Sequence, residues 1–205
     1  DSMFYGANVF NQDISGWDIN NLQSASDIFT FAGISIGGVV KENIFRGWSE
    51  KINNTNANAI GEVMNSLNIV NLENLYKDSS FNQDITRWDV SRVDNMSAMF
   101  AYASSFNQDI SGWHVSEVKD MNGMFQGVSE FNQNIGSWNV SRVSDMKNMF
   151  KSASSFNQDI SSWNVSKVER MSNMFYVATS FNYNLSRWDV SNVIDFSDML
   201  SLIHI

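Results

Sequence analysis

One pattern of apolar residues recurs along the chain at a fixed interval of 25 residues. Each repeat opens with Phe-Asn-x-x-Ile/Leu-x-x-Trp and continues with Val, Val, Met, Met and Phe at constant spacings. The repeats begin at Phe10, Phe81, Phe106, Phe131, Phe156 and Phe181. Because the last five starts follow one another without an insertion, the sequence predicts stacked repeats of a single structural design.

The spacing of apolar residues within a repeat predicts a strand followed by a helix. Trp88 and Val90 alternate with polar neighbours, and this period of two is typical of a short half-buried strand. From Val93 the apolar positions recur at intervals of three, three and one, which favours one face of a short helix. An Asn or Asp suited to cap that helix precedes it in most repeats: Asn95, Asp120, Asp145 and Asp195.

A single repeat is too small to be stable alone. Burial of one large apolar side chain contributes about 1.5–3 kcal/mol, whereas each ordered residue costs about 1–2 kcal/mol of backbone entropy. Neighbouring repeats must therefore cover both open faces of each coil. We predict an α/β repeat solenoid with one short strand and one short helix per coil, as a single elongated domain over residues 1–205. Regular repeats are expected at 1–29 and 69–205, within a longer array.

Stacking would bring like residues of successive coils into columns about 4.8 Å apart. The predicted aromatic core consists of Phe81, Trp88, Phe106, Trp113, Phe131, Trp138, Phe156, Trp163, Phe181 and Trp188. The Asn that follows each Phe forms a further structural column, made of Asn11, Asn82, Asn107, Asn132, Asn157 and Asn182. We expect these Asn side chains to point inward and to hydrogen-bond the backbone of adjacent coils.

The repeat pattern is lost over residues 30–68. Within this stretch a helix is predicted over Ala57–Leu67, with Ile60 and Val63 on its apolar face. The stretch is interpreted as an irregular insertion or a degenerate coil. Insertions in repeat arrays often carry binding residues, and a tolerated insertion without a role is an equally open alternative.

Composition argues against several classes of function. Without Cys, the chain forms neither a disulfide framework nor a thiolate metal site. Its net charge of −9 disfavours binding to the phosphate backbone of nucleic acids. The apolar stretches are too short to span a membrane, and the chain opens without the basic and apolar leader of a signal peptide. We therefore expect no nucleic-acid partner and no transmembrane segment.

Few residues are candidates for catalysis or metal binding. His114 occupies a position that is Asp or Asn in other repeats, so we interpret it as a solvent-facing residue. The stacked carboxylates of Asp84, Asp109 and Asp159 offer oxygen ligands for Ca²⁺, but one carboxylate per coil is too few for its coordination shell. We predict no catalytic residue, no metal site and no cofactor.

The exposed positions of the predicted strands form a candidate binding column. These positions vary among repeats while the apolar skeleton does not, and repeat arrays commonly bind partners along such a face. The column consists of Asp89, Ser91, His114, Ser116, Asn139, Asn164 and Asp189. It suggests a protein or a glycan as the partner.

The repeat Phe-Asn-Gln-Asp-Ile-Ser-x-Trp-Asp/Asn-Val-Ser-x-Val-x-x-Met-x-x-Met-Phe resembles that of the BspA-type leucine-rich-repeat surface proteins, over residues 1–29 and 69–200. It is most similar to the branch found in surface lipoproteins of mycoplasma and Listeria. The resemblance implies a leucine-rich-repeat-like (LRR-like) fold, a cell-surface or secreted location, and adhesion or contact with a partner.

Three hypotheses of function follow from the sequence. The first is a non-enzymatic surface module that binds a protein or a glycan along the exposed column. The second is a structural spacer or a self-assembling subunit that associates end to end. The third is a hydrolase that uses the irregular stretch over residues 30–68.

Overall fold

The computed structural model describes residues 12–25, 38–53 and 56–200. Phe10 and Asn11 lie outside the described residues. Contacts within the chain divide it into two compact bodies. The helical body consists of the described part of Asp1–Ile69 together with Gln83–Asp89, and the repeat body consists of Val70–Asn82 with the described part of Val90–Ile205.

The helical body contains two helices, α1 (Gly38–Ser49) and α2 (Ala57–Leu67). Helix α2 confirms the helix predicted over these residues, and Ile60 and Val63 on its apolar face are fully buried. It ends at Leu67, and the left-handed backbone of Asn68 (φ 55°) lets the N–H of Ile69 donate to the carbonyl of Met64 at 3.1 Å.

Helix α1 lies in the stretch where the repeat pattern is lost, and periodicity does not predict it. Glycines lower its intrinsic helix propensity, but Ile44, Phe45 and Trp48 are buried, so tertiary packing stabilises the helix. Gly47 allows a close approach, because a Cβ there would lie 2.6 Å from the Cβ of Ser15.

Buried Trp side chains bond to backbone carbonyls in both bodies. In the helical body, Nε1 of Trp48 donates to the carbonyl of Ile14 at 3.0 Å, and Nε1 of Trp88 donates to that of Ala57 at 3.1 Å. In the repeat body the donors and acceptors are Trp138 to Ile110, Trp163 to Ile135 and Trp188 to Ile160. Ala57, the first residue of α2, thus supplies the acceptor that an Ile supplies in a regular coil.

Successive coils of the repeat body pair in parallel through their backbones. One residue from each coil joins a continuous series of pairs: Asn71, Asn95, Asp120, Asp145, Arg170 and Asp195. The N–H groups of Met96, Ala98 and Phe100 then donate to carbonyls of the next coil, each 24 residues further along. In the part of this body that the structure describes, pairing therefore lies at the expected helix-cap position and not at the predicted strand, such as Trp113–Val115.

The segment expected to form a helix in each coil is a run of tight turns instead. Over residues 96–103 each turn joins an N–H to the carbonyl three residues earlier, and Ala98 and Tyr102 have φ of 50° and 62°. A left-handed residue at every fourth position breaks helical bonding and directs alternate N–H groups toward the next coil. A helix would satisfy these groups internally and leave the coils unpaired. The equivalent left-handed residues are Asn74, Asp78, Gly123, Gly127, Asn148, Ser152, Asn173, Val177 and Asp198.

The Asn or Asp expected to cap a helix caps this run of turns. Its Oδ1 accepts the N–H two residues later in the pairs Asn95–Ser97, Asp120–Asn122, Asp145–Lys147 and Asp195–Ser197. These bonds are the Asx turns that Asn and Asp favour. In the one coil where Arg170 takes this position, its guanidinium pairs with Asp145 at 2.9 Å.

Two columns of aromatic rings form the core of the repeat body. The rings of Phe100 and Phe106 stack within one coil at a centroid distance of 3.8 Å, and Phe106 lies 5.9 Å from Phe131 in the next. The rings of Trp138 and Trp163 are parallel to within 2°. All ten Phe and Trp residues of the predicted core are at most 8% exposed. Within the repeat body, like residues thus lie over like; the solenoid class and the single elongated domain stay predictions.

Candidate functional site

The predicted binding column lies at the surface. Its exposed members are Asp89, His114, Asn139, Asn164 and Asp189, and its half-buried members are Ser91 and Ser116. Asp89 belongs to the helical body and the other members belong to the repeat body. In the repeat body, each exposed member follows a buried Trp in the chain, so the buried ring fixes where the polar side chain emerges.

Three exposed members of the column also shape the backbone. Oδ1 of Asn139 and of Asn164 accepts the N–H of the Ser two residues later at 3.2 Å, and Oδ1 of Asp189 does the same at 3.1 Å. The Nδ2 groups of Asn139 and Asn164 have no partner among the residues that the structure describes. The column therefore presents polar groups to solvent on turns that its own side chains stabilise, a role that the Asn-x-Ser spacing could have indicated.

A second row of Asx turns contains two of the carboxylates considered as Ca²⁺ ligands. Oδ1 of Asp109 and of Asp159 accepts a Ser N–H at 2.9 Å. Hydrogen bonds from the Ser side chain and backbone lower the pKa of both carboxyl groups. Asn134 and Asn184 make the same turn in the other coils. Across the described ranges, no cluster of three or more His, Asp or Glu side chains could hold a metal ion.

The Asn column forms a ladder of hydrogen bonds at the surface of the repeat body. Oδ1 of Asn107 accepts the N–H of Asn132 at 3.0 Å, and Oδ1 of Asn132 accepts that of Asn157 at 2.9 Å. The same bond links Asn82 to Asn107 and Asn157 to Asn182. These side chains bond the backbone of the adjacent coil, but they are exposed or half-buried. The inward orientation expected for them is therefore wrong, because the buried position belongs to the preceding Phe.

The Gln that follows each Asn completes the ladder, a role that sequence reasoning missed. Nε2 of Gln133 donates to Oδ1 and to the carbonyl oxygen of Asn107, at 2.8 and 3.0 Å. Gln108 and Gln158 make the same two bonds to the Asn of the preceding coil. In the last described coil Tyr183 takes the Gln position and is 42% exposed. The Asn-Gln dipeptide that recurs in the other repeats was the signal that could have indicated a paired role for the two residues.

The paired residues between coils carry an acidic row. Burial raises the pKa of Asp120, the bond from the Asn122 N–H opposes the shift, and repulsion from Asp145 and Glu73 adds to it. The pairing of Arg170 with Asp145 places one positive charge in this row. A nearby groove of about 590 Å³ is lined by Arg142, Ser144, Lys167, Glu169, Asn192 and Ile194. Arg142 already pairs with Glu117, so the groove has mixed charge and selects neither sign of ligand.

Comparison with known proteins gives one family. A family model described as "Mycoplasma protein of unknown function, DUF285" matches residues 1–35, 42–135 and 111–204. The curated proteins and the solved structures contain no significant match. Within the described residues, neither helix is long and apolar enough to cross a membrane.

Proposed function

The chain belongs to the family described as Mycoplasma protein of unknown function, DUF285, and from this premise we propose that it is a non-enzymatic repeat module that binds a protein or a glycan at a cell surface. The observation that carries this proposal is the column of exposed polar residues. The residue after each Trp is Asp, His or Asn in different coils, whereas the aromatic core beneath it is constant. Such a rigid array of varied side chains is suited to recognition.

The resemblance to BspA-type leucine-rich-repeat surface proteins supports the location and the fold class. We include in the proposal an LRR-like solenoid whose coils use turns where a leucine-rich repeat was expected to carry a helix. The parallel pairing of successive coils and their aromatic stacks support stacking of this kind. A surface location is tested by labelling intact cells of the source organism with an antibody to the chain, and labelling only after lysis would contradict it.

The binding role is tested with substitutions that preserve the Asx turns. The triple variant His114→Asp, Asn139→Asp and Asn164→Asp adds negative charge at positions where other coils already carry Asp. A surface protein or an arrayed glycan that the wild-type chain retains is expected to be lost by this variant. The matched control is Asn134→Asp with Asn184→Asp, which changes charge in the neighbouring row. Equal retention by wild type and triple variant, or no retained partner, would refute the proposal.

A further inference from the structure

The amide ladder of the repeat body uses only half of its hydrogen-bonding groups. In each Asn the Oδ1 accepts from the next coil, and in each Gln the Nε2 donates to the preceding coil. The other half has no partner among the described residues: Nδ2 of Asn82, Asn107, Asn132 and Asn157, and Oε1 of Gln108, Gln133 and Gln158. The ladder therefore leaves one free donor and one free acceptor per coil.

These free groups are fixed in position before any ligand arrives. Asn82, Asn107 and Asn132 are each held by two bonds to Oδ1, at 3.0 and 2.8 Å for Asn107, and Asn157 is held by one. Gln108, Gln133 and Gln158 are each held by two bonds from Nε2. Side chains that are already ordered lose little conformational entropy on binding, which favours affinity. The Phe residues that precede the ladder Asn residues stack from coil to coil at centroid distances of 6.0, 5.9, 6.0 and 5.9 Å, so the donor and the acceptor recur at a spacing of this order.

A sugar hydroxyl both donates and accepts hydrogen bonds, so neighbouring hydroxyls match an amide donor beside an amide acceptor. An extended polysaccharide offers such hydroxyls once per sugar, and the ladder offers a donor and an acceptor once per coil. We propose that the Asn–Gln ladder binds a linear, uncharged polysaccharide along its length, with one sugar per coil. This surface is separate from the column of His114, Asn139, Asn164 and Asp189, and it goes beyond the function proposed above.

Two further observations favour a polysaccharide over other polymers. Tyr183 takes the Gln position at one end of the ladder and exposes 42% of its surface, and an exposed ring offers an apolar face on which a sugar can stack. Apart from Tyr183, the described Asn and Gln rows contain only amide side chains, whereas a protein interface has a desolvated apolar core. The net charge of −9 opposes nucleic acids.

The length dependence of binding tests the proposed track. The intact chain is titrated by calorimetry with the hexaoses of β-linked glucose, mannose and N-acetylglucosamine, and with the matching disaccharides. At least one hexaose is expected to bind, and its disaccharide is expected to bind at least tenfold more weakly, because fewer coils are engaged. If no hexaose binds, or if disaccharide and hexaose bind equally, the proposal is overturned.

A substitution that removes the free Nδ2 donor of an Asn but keeps its Oδ1 acceptor tests whether the ladder residues bind the polysaccharide. The triple variant Asn107→Asp, Asn132→Asp and Asn157→Asp keeps every Oδ1 acceptor of the ladder and removes three Nδ2 donors. Its thermal unfolding is expected to match that of the wild type, while its affinity for the hexaose falls about tenfold or more. A variant that melts normally and binds as tightly as the wild type would overturn the proposal.

The matched control is Asn134→Asp with Asn184→Asp, which makes the same chemical change in the row of Asx turns and keeps both Oδ1 acceptors. This control is expected to bind the hexaose as the wild type does. If the control loses the hexaose and the ladder variant keeps it, the track is refuted while the function proposed for the column stands. If the hexaose binds through the ladder and the column has no partner, the function proposed for the column is refuted while the polysaccharide track stands.

Discussion

The helical body and the repeat body bury Trp with the same hydrogen bond but reach it in different ways. In the repeat body the indole donor lies 28 residues after its acceptor in every recorded case. In the helical body the separation is 34 residues for Trp48 and 31 for Trp88. The comparison shows that the indole N–H needs a backbone carbonyl within bonding distance but no fixed sequence separation from it. A helix can therefore supply the acceptor that a coil supplies in the repeat body.

The polar contacts also differ between the two bodies, because they are more regular in the repeat body than in the helical body. In the repeat body one bond type recurs from coil to coil, as in the Asn ladder. The helical body adds contacts that do not recur in this way: Lys51 Nζ donates to the carbonyls of Ser15 and Trp17, and Asn56 Nδ2 donates to that of Ile19. Loss of one contact should therefore be partly shared among coils in the repeat body, but borne by a single site in the helical body.

The largest expected effect is the loss of stability when a Trp is removed from the stacked Trp column. Trp163→Ala deletes a ring that is 4% exposed, stacks on Trp138 and Trp188, and bonds to Ile135. We expect a loss of about 3–5 kcal/mol in the free energy of unfolding, measured by urea denaturation followed by circular dichroism. Trp17→Ala in the helical body is the control, because that ring is 44% exposed and its removal should cost far less. Equal losses in the free energy of unfolding would show that Trp in the stacked column stabilises the chain no more than surface Trp does.

A smaller effect is expected from crowding the single Trp contact of helix α2. A Cβ at Gly61 would lie 2.8 Å from Cδ1 of Trp88. Although Ala favours helix over Gly, this overlap should make Gly61→Ala destabilising, by about 1–3 kcal/mol. The control is Gly112→Ala in the repeat body, where a Cβ meets nothing within 4 Å. Urea denaturation measures the free energy of unfolding of both variants. A Gly61→Ala variant that is more stable than the wild type would show that Trp88 shifts without cost and would contradict this prediction.

Periodicity predicted the buried skeleton better than the backbone that carries it. Apolar residues at Val93, Met96, Met99 and Phe100 fit one face of a helix, and they fit equally a run of turns with a left-handed residue at every fourth position. The spacing alone cannot separate the two. The composition of the left-handed positions could have helped, because Asn74, Gly123, Asn148, Asn173 and Asp198 are residue types that tolerate positive φ.

A candidate site could be predicted from the sequence only where its geometry is set within one coil and not by contacts between coils. The exposed column follows from alternation beside Trp, and it lies at the surface. The recurring Asn-Gln dipeptide signals a paired role, but the bonding atoms could not be derived from it, because Gln133 reaches Asn107 across 26 residues and the bond depends on the register between coils. Helix α1 could not be derived either, because packing around Trp48 overrides the low helix propensity of its glycines.

A still smaller effect should come from the acidic row of the repeat body. Asp120→Asn keeps the Oδ1 acceptor for Asn122 and removes a half-buried charge that Asp145 repels, so it should raise the melting temperature at neutral pH. Asp145→Asn should lower it, because Arg170 loses its charged partner. Both shifts are expected to be smaller than the effect of Gly61→Ala. Calorimetry at neutral pH checks the signs, and shifts of the same sign would contradict this assignment of charges.

The smallest expected effect is on stability in acid, and it follows from the Asx turns. Bonds from Ser lower the pKa of Asp109, Asp159 and Asp189 in the folded chain. A carboxyl group with a lowered pKa adds stability that is fully present above its unfolded pKa of about 3.9 and is lost as the pH falls through the folded value. The triple substitution of these residues by Asn keeps the turns, as Asn134 shows, and should flatten the fall of melting temperature below about pH 4.

Asp120→Asn is the control of opposite sign for this acid limb. Its carboxyl has a raised pKa, so protonation on acidification favours the folded chain until the unfolded chain is protonated too. Removing that group should therefore make the acid limb steeper, whereas the triple Asn variant makes it shallower. Scanning calorimetry between neutral pH and the acid limit compares the slopes. Parallel limbs for wild type and both variants would mean that the turns are stabilised by geometry alone, and that the carboxylates of the repeat body add nothing that Asn does not.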